Sequence, residues 1–313
     1  MFVGNYAARR SRRRHAMVQI ERVPGVHSLL SESPIWDPAT RSLWFIDILK
    51  SSIHRLGPGD VFESWTTPES PGAIATTTDG RFVLALEDGF RTFDAVTGEF
   101  GPLLPAGVGP ADRISEGKAD RQGRLLAVSS DRGFREPVGR LIRLELDGSV
   151  TELRDGIHLG NGLCFSVDGS TLYVADSLTD EMWAYDYDER GLSNERLFFS
   201  TAGQEGFPDG ATVDADDCVW VAVLKSSQLV RIAPDGSVVD RVELPSPDVT
   251  SIAFGGPNLD ELYVTSADLS GFETLPPGAE LRAEVESGLL YRVTGLGIRG
   301  VAETPVDASA WGR

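Results

Sequence analysis

Along the chain, short runs of bulky apolar residues alternate with clusters of Asp, Gly, Asn and Pro, and one arrangement recurs six times. DPATRSLWFID, TTDGRFVLAL, DRQGRLLAVS, SVDGSTLYVAD, DADDCVWVAV and GPNLDELYVTS each set a tight-turn signal before a run rich in Val, Leu, Tyr and Trp. That order is the signature of a strand entered from a turn. With the third residue of each run as a marker, Trp44, Val83, Leu126, Tyr173, Trp220 and Tyr263 recur at intervals of 39, 43, 47, 47 and 43 residues. Further strand-like segments follow these runs, among them SSIHRL, GRLIRLEL, EMWAYDYD, QLVRIAPDG and GLLYRVTG.

Three or four strands per unit, six units and this period describe the blades of a propeller. A linear β-solenoid has shorter repeats, and a sandwich does not repeat so regularly. No segment of ordinary helix length carries a 3.6-residue apolar period; only Gly271 to Ser287 offers room for a short helical turn. The expected fold is therefore all-β, a six-bladed β-propeller. A strand at Val18–Val23 is placed to complete the last blade and close the ring.

Composition changes this picture only at the edges. Gly (34) and Pro (18) suit a chain with many turns, and 313 residues suffice for a large core. The formal net charge is −18, although Arg9, Arg10, Arg12, Arg13 and Arg14 form a basic run near the start. A body so acidic repels nucleic acid and anionic membrane surfaces, so neither is an expected partner. No run approaches the length of a membrane span, and the Arg-rich start lacks the apolar segment of an export signal. Residues 1–16 read as a disordered basic extension and 17–313 as one propeller domain. Cys164 and Cys218 each lie in or beside an apolar run, which favours buried free thiols and a cytoplasmic location.

The candidate chemistry comes from repeat phase. In a propeller the innermost strand of each blade lines the central channel, so residues at one phase gather at one end of it. Counting back from the markers, Glu32, Asn161 and Asp209 fall within one residue of the same phase, 12, 12 and 11 positions upstream. Arg113 and Ser115 lie 13 and 11 positions before Leu126. Pro71 and Gly72 occupy the phase in the second blade, Thr250 and Ser251 in the sixth. Taken singly, Asn or Asp beside Gly is an ordinary turn residue. Three oxygen donors from three blades at one phase argue instead for a shared site at one end of the channel. Two carboxylates and a carboxamide, with no His or Cys, suit a hard divalent cation.

The stretches SESPIWDPATRSLWFIDI, RISEGKADRQGRLLA, GNGLCFSVDGSTLYVADS, FPDGATVDADDCVWVA and SIAFGGPNLDELYVTSA carry a resemblance that runs from about Glu21 to Asp307. In these the chain resembles the senescence marker protein (regucalcin) and gluconolactonase family of calcium-dependent lactonases. The resemblance implies the same six-bladed fold and one divalent cation, Ca2+ before Zn2+, Mn2+ or Mg2+. It implies Glu32, Asn161 and Asp209 as metal ligands and Asp209 also as the residue that moves the proton. Arg113 matches the arginine that holds substrate oxygens. The implied activity is hydrolysis of a sugar lactone to the aldonic acid, with a small-molecule lactone as the partner.

Two departures bear on substrate choice. Where many relatives read R-x-N-D-G, this chain reads Arg113-Ile114-Ser115-Glu116-Gly117, so a shorter hydroxyl stands in for a substrate-contacting carboxamide. The acid expected nearby has two candidates, Asp131 and Glu136. Hydrolysis of another ester, aryl or phosphorus, and a non-enzymatic calcium-binding regulatory role are the alternative functions. A Ser-His-Asp hydrolase lacks its Gly-x-Ser-x-Gly elbow here; of the four histidines, His158 is the one placed near the channel mouth.

Overall fold

The six repeats become six antiparallel sheets, each one blade, five of them four-stranded and one five-stranded. The structure is a computed structural model and describes residues 17–109, 111–271 and 287–311. The expected extension over 1–16 lies outside the described residues, as does almost all of the expected helical turn at 271–287. A short 3-10 turn, Leu269–Gly271, leads up to that gap.

The first blade is built from Ser31–Asp37, Ser42–Asp47, Ser52–Gly57 and Val61–Thr66. Inner strands of the next four blades are Ala73–Thr76, Asp112–Ala119, Gly160–Phe165 and Phe207–Val213. The sixth blade begins with Val249–Gly255 and takes its outermost strand from the other end of the chain. There Gln19–Arg22 pairs antiparallel with Tyr291–Thr294 and closes the ring.

All six sequence markers sit in the second strand of their blades and are buried, from 0% exposure at Val83, Leu126 and Trp220 to 3% at Tyr173 and Tyr263. Blades cover both faces of these strands, so they read as continuous apolar runs, while an outermost strand such as Val61–Thr66 is largely exposed. The apolar core accordingly lies between neighbouring blades, as where Trp44 of the first packs on Phe82 of the second with ring centroids 4.2 Å apart. Both cysteines are buried and free. Among the described residues no helix is long and apolar enough to cross a membrane.

One irregularity recurs on the inner strands. The pairing register slips between Glu32 and Ile35, Ile114 and Glu116, Asn161 and Cys164, Pro208 and Ala211, and Val249 and Ile252. Five of six inner strands thus carry a bulge at the phase singled out from the sequence. A bulge leaves a residue unpaired and re-aims its side chain.

Candidate metal centre and active site

The bulges bring the sequence candidates together. Glu32, Arg113, Ser115, Asn161 and Asp209 line a single open-mouthed pocket with about 480 Å3 of space free of atoms, at one end of the channel. Two glycines make the convergence possible. Gly162 has a φ of 60°, and a Cβ there would lie 2.9 Å from the Ala175 methyl and 3.2 Å from the Asp209 carbonyl oxygen. A Cβ on Gly210 would stand 2.1 Å from Ser251 Oγ. Larger residues would push Asn161 and Asp209 out of position.

Glu32 and Asp209 are buried, at 7% and 4% exposure. Neither forms an ion pair with a Lys, Arg or His among the described residues. Burial chiefly, then the charges of Asp209 and Glu116, raise the Glu32 carboxyl well above the ordinary range. Burial and Glu116 do the same to Asp209, against the opposing hydrogen bond from the Gly210 N–H. Among the described residues Glu32 accepts only the adjacent Ser33 N–H, at 3.2 Å.

The Asn161 carboxamide is oriented by its neighbours. Ser177 Oγ donates to the Pro208 carbonyl at 2.6 Å, so its lone pair accepts Asn161 Nδ2 at 2.9 Å. That leaves the Asn161 Oδ1 oxygen, on the other side of the amide, without a hydrogen-bond partner among the described residues. Among the described residues no three His, Cys, Asp or Glu side chains form a metal site by themselves; the Asn161 carboxamide could serve as a third oxygen donor. Two buried, uncompensated carboxyls and a directed amide oxygen are a fitting donor set for a hard cation such as Ca2+.

Arg113 is half-buried on the pocket wall and makes no hydrogen bond or ion pair with any described residue. Burial and nearby Arg132 lower its pKa, with Glu87 opposing; Arg132 itself pairs with Glu87 at 2.8 Å. Ser115 also lines the pocket, but its hydroxyl proton is engaged across the blade boundary. Oγ donates to the Gly160 carbonyl at 2.7 Å and accepts from Ser130 Oγ at 2.9 Å. Neither Asp131 nor Glu136 lines the pocket. Asp131 instead accepts the backbone N–H groups of Arg135 and Glu136, at 2.7 and 3.3 Å.

The remaining positions at this phase are structural. Thr250 Oγ1 donates to the Ser31 carbonyl of the neighbouring blade at 2.6 Å, and Gly72 N–H donates to Ala85 within its own sheet. His158 lies apart, in a separate pocket with Arg154, Trp183 and Tyr185, with Nδ1 3.0 Å from Asp176.

Glu116 is a participant that sequence reasoning passed over, while Ser177, at the end of a second strand, has the blade hydrogen-bonding role that such a position suggests. Glu116, buried on the inner strand of the third blade, accepts the Leu163 N–H at 3.0 Å and so braces the bulge that presents Asn161. Burial pushes its carboxyl up to about 7, with Leu163 and Lys118 opposing. The only sequence signal was its place beside Ser115 in an inner-strand motif.

Comparison with known proteins agrees with this fold. Residues 30–268 match the SMP-30/Gluconolactonase/LRE-like region. Regucalcin of Xenopus laevis is 33% identical over 297 residues, covering 92% of this chain and 98% of that protein. A 6-deoxy-6-sulfogluconolactonase of Pseudomonas putida is 32% identical, covering 77% of this chain and 84% of its own length. A crystal structure of regucalcin from Agrobacterium tumefaciens, described as a calcium-binding protein, superposes with a TM-score of 0.81 at 26% identity, covering 91% of this chain and 96% of that one. Matching repeats, a shared fold and long, near-complete alignments lead to one conclusion: the chain belongs to the SMP-30/gluconolactonase/LRE-like family.

Proposed function

We propose that this protein hydrolyses a lactone to the corresponding hydroxy acid, with a divalent cation held by Glu32, Asn161 and Asp209 and with Asp209 as proton acceptor. One observation carries the reading. Two buried carboxyls without a cationic partner share a pocket with a directed amide oxygen and the unpaired guanidinium of Arg113. The Pseudomonas putida relative is named for lactone hydrolysis, which supports the reaction class. The Agrobacterium tumefaciens relative is described as calcium-binding, which puts Ca2+ first, ahead of Mg2+, Mn2+ and Zn2+.

A cation bound there supplies Lewis-acid polarisation and makes water more acidic. The chain's own groups do the rest. Asp209 accepts a proton from water as the water oxygen bonds to the lactone carbonyl carbon. Arg113 donates hydrogen bonds to the carbonyl oxygen as negative charge develops on it. The acyl bond to the ring oxygen then breaks, and the proton passes to that oxygen. Asn161 and Glu32 complete the oxygen donor set.

The test is acid release from a panel of lactones with and without a chelator. Turnover is expected to vanish on chelation, to return with Ca2+, and to be lost in Asp209→Ala. Wild-type rates in Asp209→Ala, or after complete removal of divalent ions, would refute the reading.

A further inference from the structure

Beside its polar groups, the pocket is walled by Leu30, Ile48, Phe134, Leu159, Phe207 and Leu224. All but the half-buried Leu30 are at most 9% exposed. These side chains offer nothing to a hydroxyl. A desolvated hydroxyl without a partner costs free energy, so a polyhydroxylated ring is poorly matched to such a wall.

Ser115 and the candidate acid Asp131 are both engaged within the fold. The Ser115 hydroxyl proton is engaged by the Gly160 carbonyl at 2.7 Å and cannot donate into the pocket. Asp131 receives backbone N–H groups of its own loop, Arg135 at 2.7 Å and Glu136 at 3.3 Å. That loop holds Phe134 at a φ of 55°, a conformation rare for an aromatic residue, and sets it on the pocket wall. Neither candidate acid, Asp131 or Glu136, lines the pocket, and Asp131 instead braces the loop that carries Phe134. Among the described residues lining the pocket, only Arg113 remains as an uncommitted donor, enough for the lactone carbonyl and its product carboxylate.

We infer that the substrate is a lactone bearing an apolar substituent, such as an alkyl-substituted δ-lactone, rather than a ring hydroxylated at each carbon. This rests on the lactone-hydrolysis reading above and narrows it. The apolar wall receives the substituent, and Arg113 and the metal centre take the carbonyl end.

The test compares kcat/KM for δ-octalactone and glucono-δ-lactone, which share ring size, with the purified protein in saturating Ca2+ and spontaneous hydrolysis subtracted. Preference for δ-octalactone by about tenfold or more is expected. Phe134→Asn supplies a side chain that tolerates a positive φ, so the loop keeps its shape; it is expected to lower the ratio of the δ-octalactone to the glucono-δ-lactone value about tenfold. A wild-type preference for glucono-δ-lactone overturns the inference and leaves the lactonase reading standing. Unchanged selectivity in Phe134→Asn also counts against it. No turnover of either lactone with Ca2+, Zn2+, Mn2+ or Mg2+ sinks both.

Discussion

Asn161 of the fourth blade is held by Ser177, whose Oγ accepts Nδ2 at 2.9 Å while donating to the carbonyl of Pro208 in the fifth blade at 2.6 Å. One hydroxyl therefore sets the direction of one candidate ligand and anchors the strand that carries another, Asp209. Residues of this kind orient metal ligands without touching the metal, and their loss costs roughly 10–100-fold in metal affinity. Ser177→Ala is expected to weaken Ca2+ binding by about that factor, measured by calorimetry. Unaltered affinity in a folded variant would show that the Asn161 orientation does not depend on this bond.

Glu116 gives the metal-free protein a distinctive pH dependence. Its carboxyl is raised from 4.5 to about 7 in the fold, and Glu32 and Asp209 are raised as well. The folded state thus binds more protons than the unfolded chain above pH ~4.5, and stability falls as pH rises through that window. For Glu116 the loss is complete near pH 7 and amounts to the order of 3 kcal/mol. Glu116→Gln keeps an acceptor for the Leu163 N–H and carries no charge. In chelator, its stability is expected to decline less between pH 4.5 and 7 than that of the wild type, as read by denaturant unfolding. Identical slopes would contradict the assignment.

Arg113 lines the pocket and no described residue engages its guanidinium, so it is available for the substrate role proposed above. Arg113→Ala is expected to lower kcat/KM by about 100-fold or more, in line with loss of a donor to a developing oxyanion. Ca2+ affinity and thermal stability are expected to stay near wild type. A comparable loss of metal binding would place Arg113 in the structural frame instead.

The architecture was legible because a propeller repeats its hydrophobic pattern blade by blade: each marker from Trp44 to Tyr263 occupies the same strand of its sheet. Phase also brought Glu32, Arg113, Ser115, Asn161 and Asp209 into one pocket, since residues at one phase share one end of the channel. The relations between blades were not legible. Ser115 bonded to Gly160, Glu116 bracing Leu163 and Ser177 linking Asn161 to Pro208 all depend on how adjacent inner strands abut, which no single repeat encodes. The apolar wall was hidden for a related reason: Phe134 reaches it through a loop whose local turn is organised by Asp131, a residue that sequence alone offered as a substrate ligand.

The most direct measurement is an anomalous-difference map from a crystal soaked in Ca2+ or Mn2+. One ion is expected in the channel mouth, bonded by oxygens of Glu32, Asn161 and Asp209 at the roughly 2.0–2.6 Å typical of hard cations. A mouth without an ion at saturating concentration, or an ion that fails to engage all three side chains, would contradict it.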